Sequence, residues 1–183
     1  MWPRTVDGGH LGLNLSRMTL PKEAELLGAN SGELEIKGAG AATVVRLSPE
    51  GQRKLSALIG GPSAAESPGG VYLGLESIRG TFDAAVLNAY INLPEDARPA
   101  DHRNLRAESV GLYGLRWASI RQGENDGPGL TFILEITRIL MEPLASKSFN
   151  SEEIRVSIIP DRPIPDSITI VVGRVSIFAM SRT

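Results

Sequence analysis

The chain has 183 residues, enough for one domain with its own core or for a domain plus an extension. At 42% hydrophobic and 22% charged it has the composition of a globular protein, and a net charge of −2 with 5% aromatics excludes the basic face and stacking platforms of nucleic-acid binders. The absence of cysteine excludes disulfides, thiolate metal sites and a thiol nucleophile, while leaving the compartment open.

No apolar run approaches the roughly 20 residues of a membrane span. MWPRTVDGGH at the N-terminus lacks the apolar core of a signal peptide. A soluble, cytoplasmic protein is the expectation, with a trimmed piece of a longer chain as the other possibility. Residues 1–21 are read as an irregular extension with one short strand at Leu11–Leu15, and residues 22–183 as the domain.

Within the domain, ELEIKG (33–38) alternates apolar and charged residues as a half-buried strand does. AATVVRLS (41–48) is the expected partner strand across the Gly38–Gly40 turn. The period then changes. In SPEGQRKLSALIGG, Ser48 is placed to cap a helix with Pro49 at its first position, and Leu55, Leu58 and Ile59 fall on one side. Gly60–Gly61 ends this helix, which should cover a sheet edge or a barrel end.

VYLGLESIRG (71–80) and VLNAYINL (86–93) read as two strands joined by a turn at Arg79–Thr81. Asn88, Tyr90 and Asn92 should face away from Leu87, Ala89 and Ile91. Pro94 stops the second strand, and residues 95–104 form a polar loop. VGLYGLRWASI (110–120) is read as a strand whose two glycines mark a bulge or the close approach of another backbone, followed by the turn RQGENDGPG (121–129). LTFILEI (130–136) is a strongly apolar strand, TRILMEPL (137–144) one or two helical turns, and EIRVSIIP (153–160) another strand. SITIVVGRVSIFAM (167–180) is two strands or one bent at Gly173. Eight to ten strands at this spacing predict a mainly β protein, an antiparallel β-sandwich or jelly-roll-like fold, with one or two short helices.

Residues that could carry chemistry are few. His10 and His102 lie far apart in polar segments and make neither a metal triad nor an acid–base pair. Glu124 and Asp126 in GENDGPG have the composition of a calcium loop without its spacing. GAGAA (38–42) lacks the Lys-Ser/Thr and the helix of a phosphate loop. Arg98, Arg103 and Arg106 are interleaved with Glu95, Asp96 and Asp101 as a mixed-sign solvated loop, and Glu152–Glu153 read as a polar lead-in to a strand. A carboxylate pair of Glu76 with Asp83 is the one enzyme-like alternative. The expectation is a protein that is not an enzyme on its own, with no catalytic, cofactor-binding or metal residues and no cofactor.

ELLGAN (25–30), ATVVRLSPEGQRKL (42–55), GGVYLGLESIRG (69–80), AYINLPEDA (89–97), VGLYGL (110–115) and ITIVVGRVSIF (168–178) occur in this order. The series resembles the C-terminal β-domain that follows the copper domain in tyrosinases and polyphenol oxidases, and more distantly the β-sandwich of molluscan haemocyanin. The resemblance spans residues 22–180. It implies a non-catalytic β-sandwich module acting as lid, chaperone-like partner or assembly domain, its partner a copper-oxidase domain or chain, or a second copy of itself. The family's dicopper centre takes two triplets of histidines, and this chain has two histidines in all, so the resemblance does not carry phenol oxidation with it. Tyr72, Phe82 and Tyr90 suit the role of a side chain plugging a copper pocket, or pack in the core. Tyr113, Trp117 and Phe178 are the side chains expected on an outward apolar face. The alternative is an independent lipid-, sugar- or calcium-binding module of the C2 or PLAT type.

Overall fold

A computed structural model describes residues 24–60, 69–83, 85–120, 127–145 and 152–181. The extension 1–21, with the strand expected at Leu11–Leu15, and the calcium-like Glu124 and Asp126 lie outside the described residues. Among the described residues nine strands form: β1 (Glu25–Ala29), β2 (Leu34–Ile36), β3 (Ala41–Leu47), β4 (Gly69–Gly80), β5 (Val86–Ile91), β6 (Arg106–Gly111), β7 (Leu130–Glu135), β8 (Glu153–Pro160) and β9 (Ile170–Ser181). The helices are α1 (Pro49–Gly60), α2 (Leu115–Ser119) and α3 (Thr137–Ala145), with short 3-10 turns at Pro99–Asp101 and Arg103–Leu105.

All the pairings between strands are antiparallel and belong to one sheet in the order β6-β5-β8-β3-β1-β9-β4-β7, with β2 joining β9 beside β1. The sheet curls until β6 and β7 approach each other, so the two facing layers expected of a sandwich belong to one nearly closed sheet. The interior holds Val45, Leu47, Leu73, Leu75, Leu87, Ile91, Ile154, Val156, Ile158, Val175 and Ile177, all in the alternation that the sequence shows. A bulge in β4 between Leu75 and Ile78, with Ser77 at φ 52°, resets the phase so that Ile78 is buried as well.

Two pairings differ from the sequence reading. The Gly38–Gly40 turn forms, with the Gly40 amide donating to Lys37 O at 2.9 Å. Yet β2 pairs with β9, while β3 lies between β1 and β8. β1 takes the place beside β3 that a simple hairpin would have given to β2. Likewise β4 and β5 are neighbours in sequence but not in the sheet, since β4 pairs with β7 and β9, and β5 with β6 and β8.

The third difference concerns residues 112–120. The strand β6 ends at Gly111, and α2 replaces the rest of the expected strand. Leu112 and Leu115, three apart, are both buried, while Arg116 and Trp117 are adjacent and both exposed, a pattern that one-face burial of a strand does not produce. Gly114, at φ 80°, makes the reversal between them. Gly173, by contrast, leaves β9 a single strand.

α1 forms as its sequence dictates. The Gly51 amide donates to Ser48 Oγ at 2.9 Å, Pro49 occupies the first turn, and Leu55 and Ile59 are buried. It packs against α3 at the end of the barrel where β3 finishes and β8 begins. α2 lies at the opposite end, beside the end of β4 and the start of β7.

Close backbone approach fixes β1. A Cβ on Gly28 would lie 2.3 Å from Arg46 O. Gly28→Ala is expected to cost about 1–3 kcal/mol through the strand shift it forces, read as a lower urea midpoint with an unchanged slope.

Candidate docking face

The polar groups that chemistry would require are occupied singly. Glu76 accepts from the Ser176 hydroxyl and lies 3.5 Å from Arg174 Nε. Asp83 accepts from the Arg116 amide at 2.7 Å, with the Arg116 guanidinium 4.0 Å from its second oxygen. These two carboxylates therefore serve different partners. Arg155 Nη1 binds Glu95 at 2.8 Å and Arg46 Nε binds Glu153 at 3.1 Å. His102 sits half-buried between the two 3-10 turns, its amide donating to Pro99 O, while His10 is outside the described residues. Arg98, Arg103 and Arg106 are exposed. Among the described residues no three His, Cys, Asp or Glu side chains are grouped to hold a metal ion, and no helix is long and apolar enough to cross a membrane.

The distinctive surface is the α2 end of the barrel. Tyr113 is 92% exposed, Trp117 74% and Ile120 52%. They project from a segment whose two leucines, Leu112 and Leu115, are sunk in the core. Trp117 and Ile120, with Gly80, Thr81, Arg116 and Ser119, line a shallow groove of about 300 Å³. A second groove of about 430 Å³ is lined by Phe82, Val86, Pro163 and Pro165 among others.

This corner is held firmly. The Ser119 hydroxyl donates to Leu115 O at 2.6 Å and accepts from the Gly80 amide at 3.0 Å. The Gly129 amide donates to Ala118 O at 3.0 Å. Asp83 caps the first turn from the β4–β5 connection, since the N-cap residue Gly114 has no side chain to do so.

Of the residues expected on an outward face, Tyr113 and Trp117 are there and Phe178 is not. Phe178 is 2% exposed although its β9 position is on the outer face, and its ring lies over Gly74 of β4, where a Cβ would come within 2.6 Å of it. Tyr90 is also buried on the outer face, opposite the small Ser157. Tyr72 and Phe82 are half-buried. Ile120 and Asp83 were not singled out in these roles. Ile120 follows Trp117 by three residues and could have been found from helical spacing, whereas Asp83 meets α2 only through the fold.

The structure thus defines an antiparallel β-domain with one preformed aromatic corner. The chain belongs to the family described as Domain of unknown function (DUF7868), which it matches over residues 23–180. Over 68 residues it is 35% identical to tyrosinase HcTyr1 of Hahella sp. (strain CCB-MM4), a stretch covering 37% of this chain and 15% of that one. The resemblance to tyrosinases read from the sequence is therefore shown. Among solved structures, latent apple tyrosinase aligns over 81% of this chain and 27% of its own at 15% identity and a TM-score of 0.47. Latent aurone synthase, a polyphenol oxidase, aligns over 88% and 25% at 11% identity and 0.44. The chain spans about a quarter of those solved chains and a smaller part of the curated relative.

The burial contrast within residues 112–120 can be checked directly. Trp117→Ala should change stability by no more than about 0.5 kcal/mol, because so much of the indole is already in water. Leu115→Ala should cost about 2–5 kcal/mol. Chemical denaturation of the two variants distinguishes them.

Proposed function

We propose that this domain is a non-catalytic module of a tyrosinase-type copper oxidase, docking on the histidine-bearing part of that enzyme, in the same chain or another, through the α2 corner. The observation that carries the reading is the exposed trio Tyr113, Trp117 and Ile120 on a rigid support. Large aromatic side chains left in water on an ordered surface are the composition of interface anchors. Anchors already held in position bind with less ordering cost than flexible ones.

The choice of partner rests on the curated tyrosinase, in which the matching stretch is 15% of the length, so most of that enzyme lies outside it. The chain's own two histidines are too few for a dicopper centre of the kind the family uses. The module's contribution is accordingly steric. By covering or supporting the copper-bearing part it controls access to that part or its assembly, and the oxidation belongs to the partner.

The test is a titration of the 183-residue chain into copper-loaded HcTyr1 lacking the 68-residue stretch similar to this chain. Saturable binding accompanied by a change in tyrosinase rate is expected, and Trp117→Ala should weaken it by at least tenfold. No binding and no change in rate at micromolar chain would overturn the proposal.

A further inference from the structure

We infer that Asp83 is a positioning residue for the docking face: reaching across from the β4–β5 connection, it caps α2 and fixes the direction in which Trp117 is presented. Its role in docking rests on the function proposed above, but its role in ordering α2 does not.

α2 is five residues long, too short to persist by its own hydrogen bonds. Its N-cap residue is Gly114, in the left-handed region and without a capping side chain. The acceptor that a Ser, Asp or Asn would ordinarily supply from that position comes from Asp83, 33 residues before the Arg116 whose amide it takes. Oδ1 takes the amide of Arg116, the second helical residue, and Oδ2 lies 4.0 Å from the guanidinium of the same residue. The carboxylate is also of the sign that a helix N-terminus favours.

The other end of α2 is tied to the last residue of β4, which leads into the same connection. The Gly80 amide, three residues before Asp83, donates to Ser119 Oγ. Residues 80–83 thus hold α2 at both ends, and Trp117 stands between these two attachments. The buried leucines 112 and 115 pin one face of the segment to the core, and the attachments from residues 80–83 hold its two ends, so the exposed indole is presented from a segment fixed on both sides.

Hydrogen exchange on the intact 183-residue chain tests the ordering role. In Asp83→Ala, protection of the amides of Arg116–Ser119 is expected to fall about tenfold, while amides in β4 and β9 keep theirs. Asp83→Asn retains an acceptor for the Arg116 amide and should restore protection to within about threefold of the parent. Ser48→Ala removes a comparable cap at the other end of the barrel and should leave α2 unchanged. Unaltered exchange at α2 in Asp83→Ala, or a loss that Ser48→Ala reproduces, overturns the inference.

The docking role is read by titrating the same variants into the truncated HcTyr1. Asp83→Ala should bind about tenfold more weakly, with Asp83→Asn close to the parent and Ser48→Ala equal to it. If Trp117→Ala weakens binding and Asp83→Ala does not, the positioning role is overturned while the docking reading stands. If Trp117→Ala has no effect, the docking reading falls, and with it this role of Asp83, whereas the exchange result still decides the capping.

Discussion

The fold depends on the backbone ladder of β9. One of its edges is occupied by β4 from Gly69↔Ser181 to Gly80↔Ile170, and the other is shared by two short strands, β2 at residues 170–172 and β1 at residues 176–179. Within the interval between them, Asn30 pairs with Val175, its backbone amide donating to Val175 O and its Oδ1 accepting from the Val175 amide, both at 2.9 Å. An open stretch of ladder in mid-sheet would leave buried donors and acceptors unpaired, and the asparagine stands in for the missing strand. Asn92 does the same for β8, gripping both backbone groups of Arg155 from a residue at φ 52°. Short polar side chains that imitate a strand end allow the sheet to change partners without losing its pairing.

This explains which parts of the fold were legible in the sequence. Alternation in β3, β4, β5 and β8, and the capped amphipathic run of α1, are local patterns that the structure keeps. Partner choice is not local. The turn at Gly38–Gly40 forms as its glycines require, yet it joins strands that do not pair, because β1 inserts between β3 and β9 where Gly28 lets the backbones come close. Residues 110–120 were misleading for another reason. Val110 and Leu112 continue the alternation, and Tyr113 and Trp117 are good strand formers, so propensity argued for a strand that Gly114 and the burial of Leu115 overrule.

The docking face was half legible. Aromatic residues near a glycine-interrupted stretch pointed to Tyr113 and Trp117, and both are exposed. Phe178 departs from that expectation because its ring occupies the space left by a glycine on a neighbouring strand, and the sequence around Phe178 carries no mark of that distant glycine. Asp83 was noticed for its charge, as a possible partner of Glu76, when its partner is a backbone amide of α2. Sequence shows that a carboxylate is present, and only the fold shows what it faces.

The stretches that carry the likeness to tyrosinases owe their residue types to these structural tasks. Gly28 and Asn30 in ELLGAN, Ser48 before α1, Gly74 under Phe178 and Asn92 in AYINLP each solve a problem of close approach, capping or strand ending. A likeness built from such residues reports a shared scaffold and is silent about copper chemistry. The surface that can differ between scaffolds of this kind is the one their construction leaves unused. Here one end of the barrel is closed by α1 packed on α3, and the other carries exposed aromatics on a helix held by the β4–β5 connection. A domain that needed only to be stable could bury those rings or replace them with polar residues, since an indole that is mostly in water adds little to folding. Their place on a firmly held support argues that they act on something outside this domain.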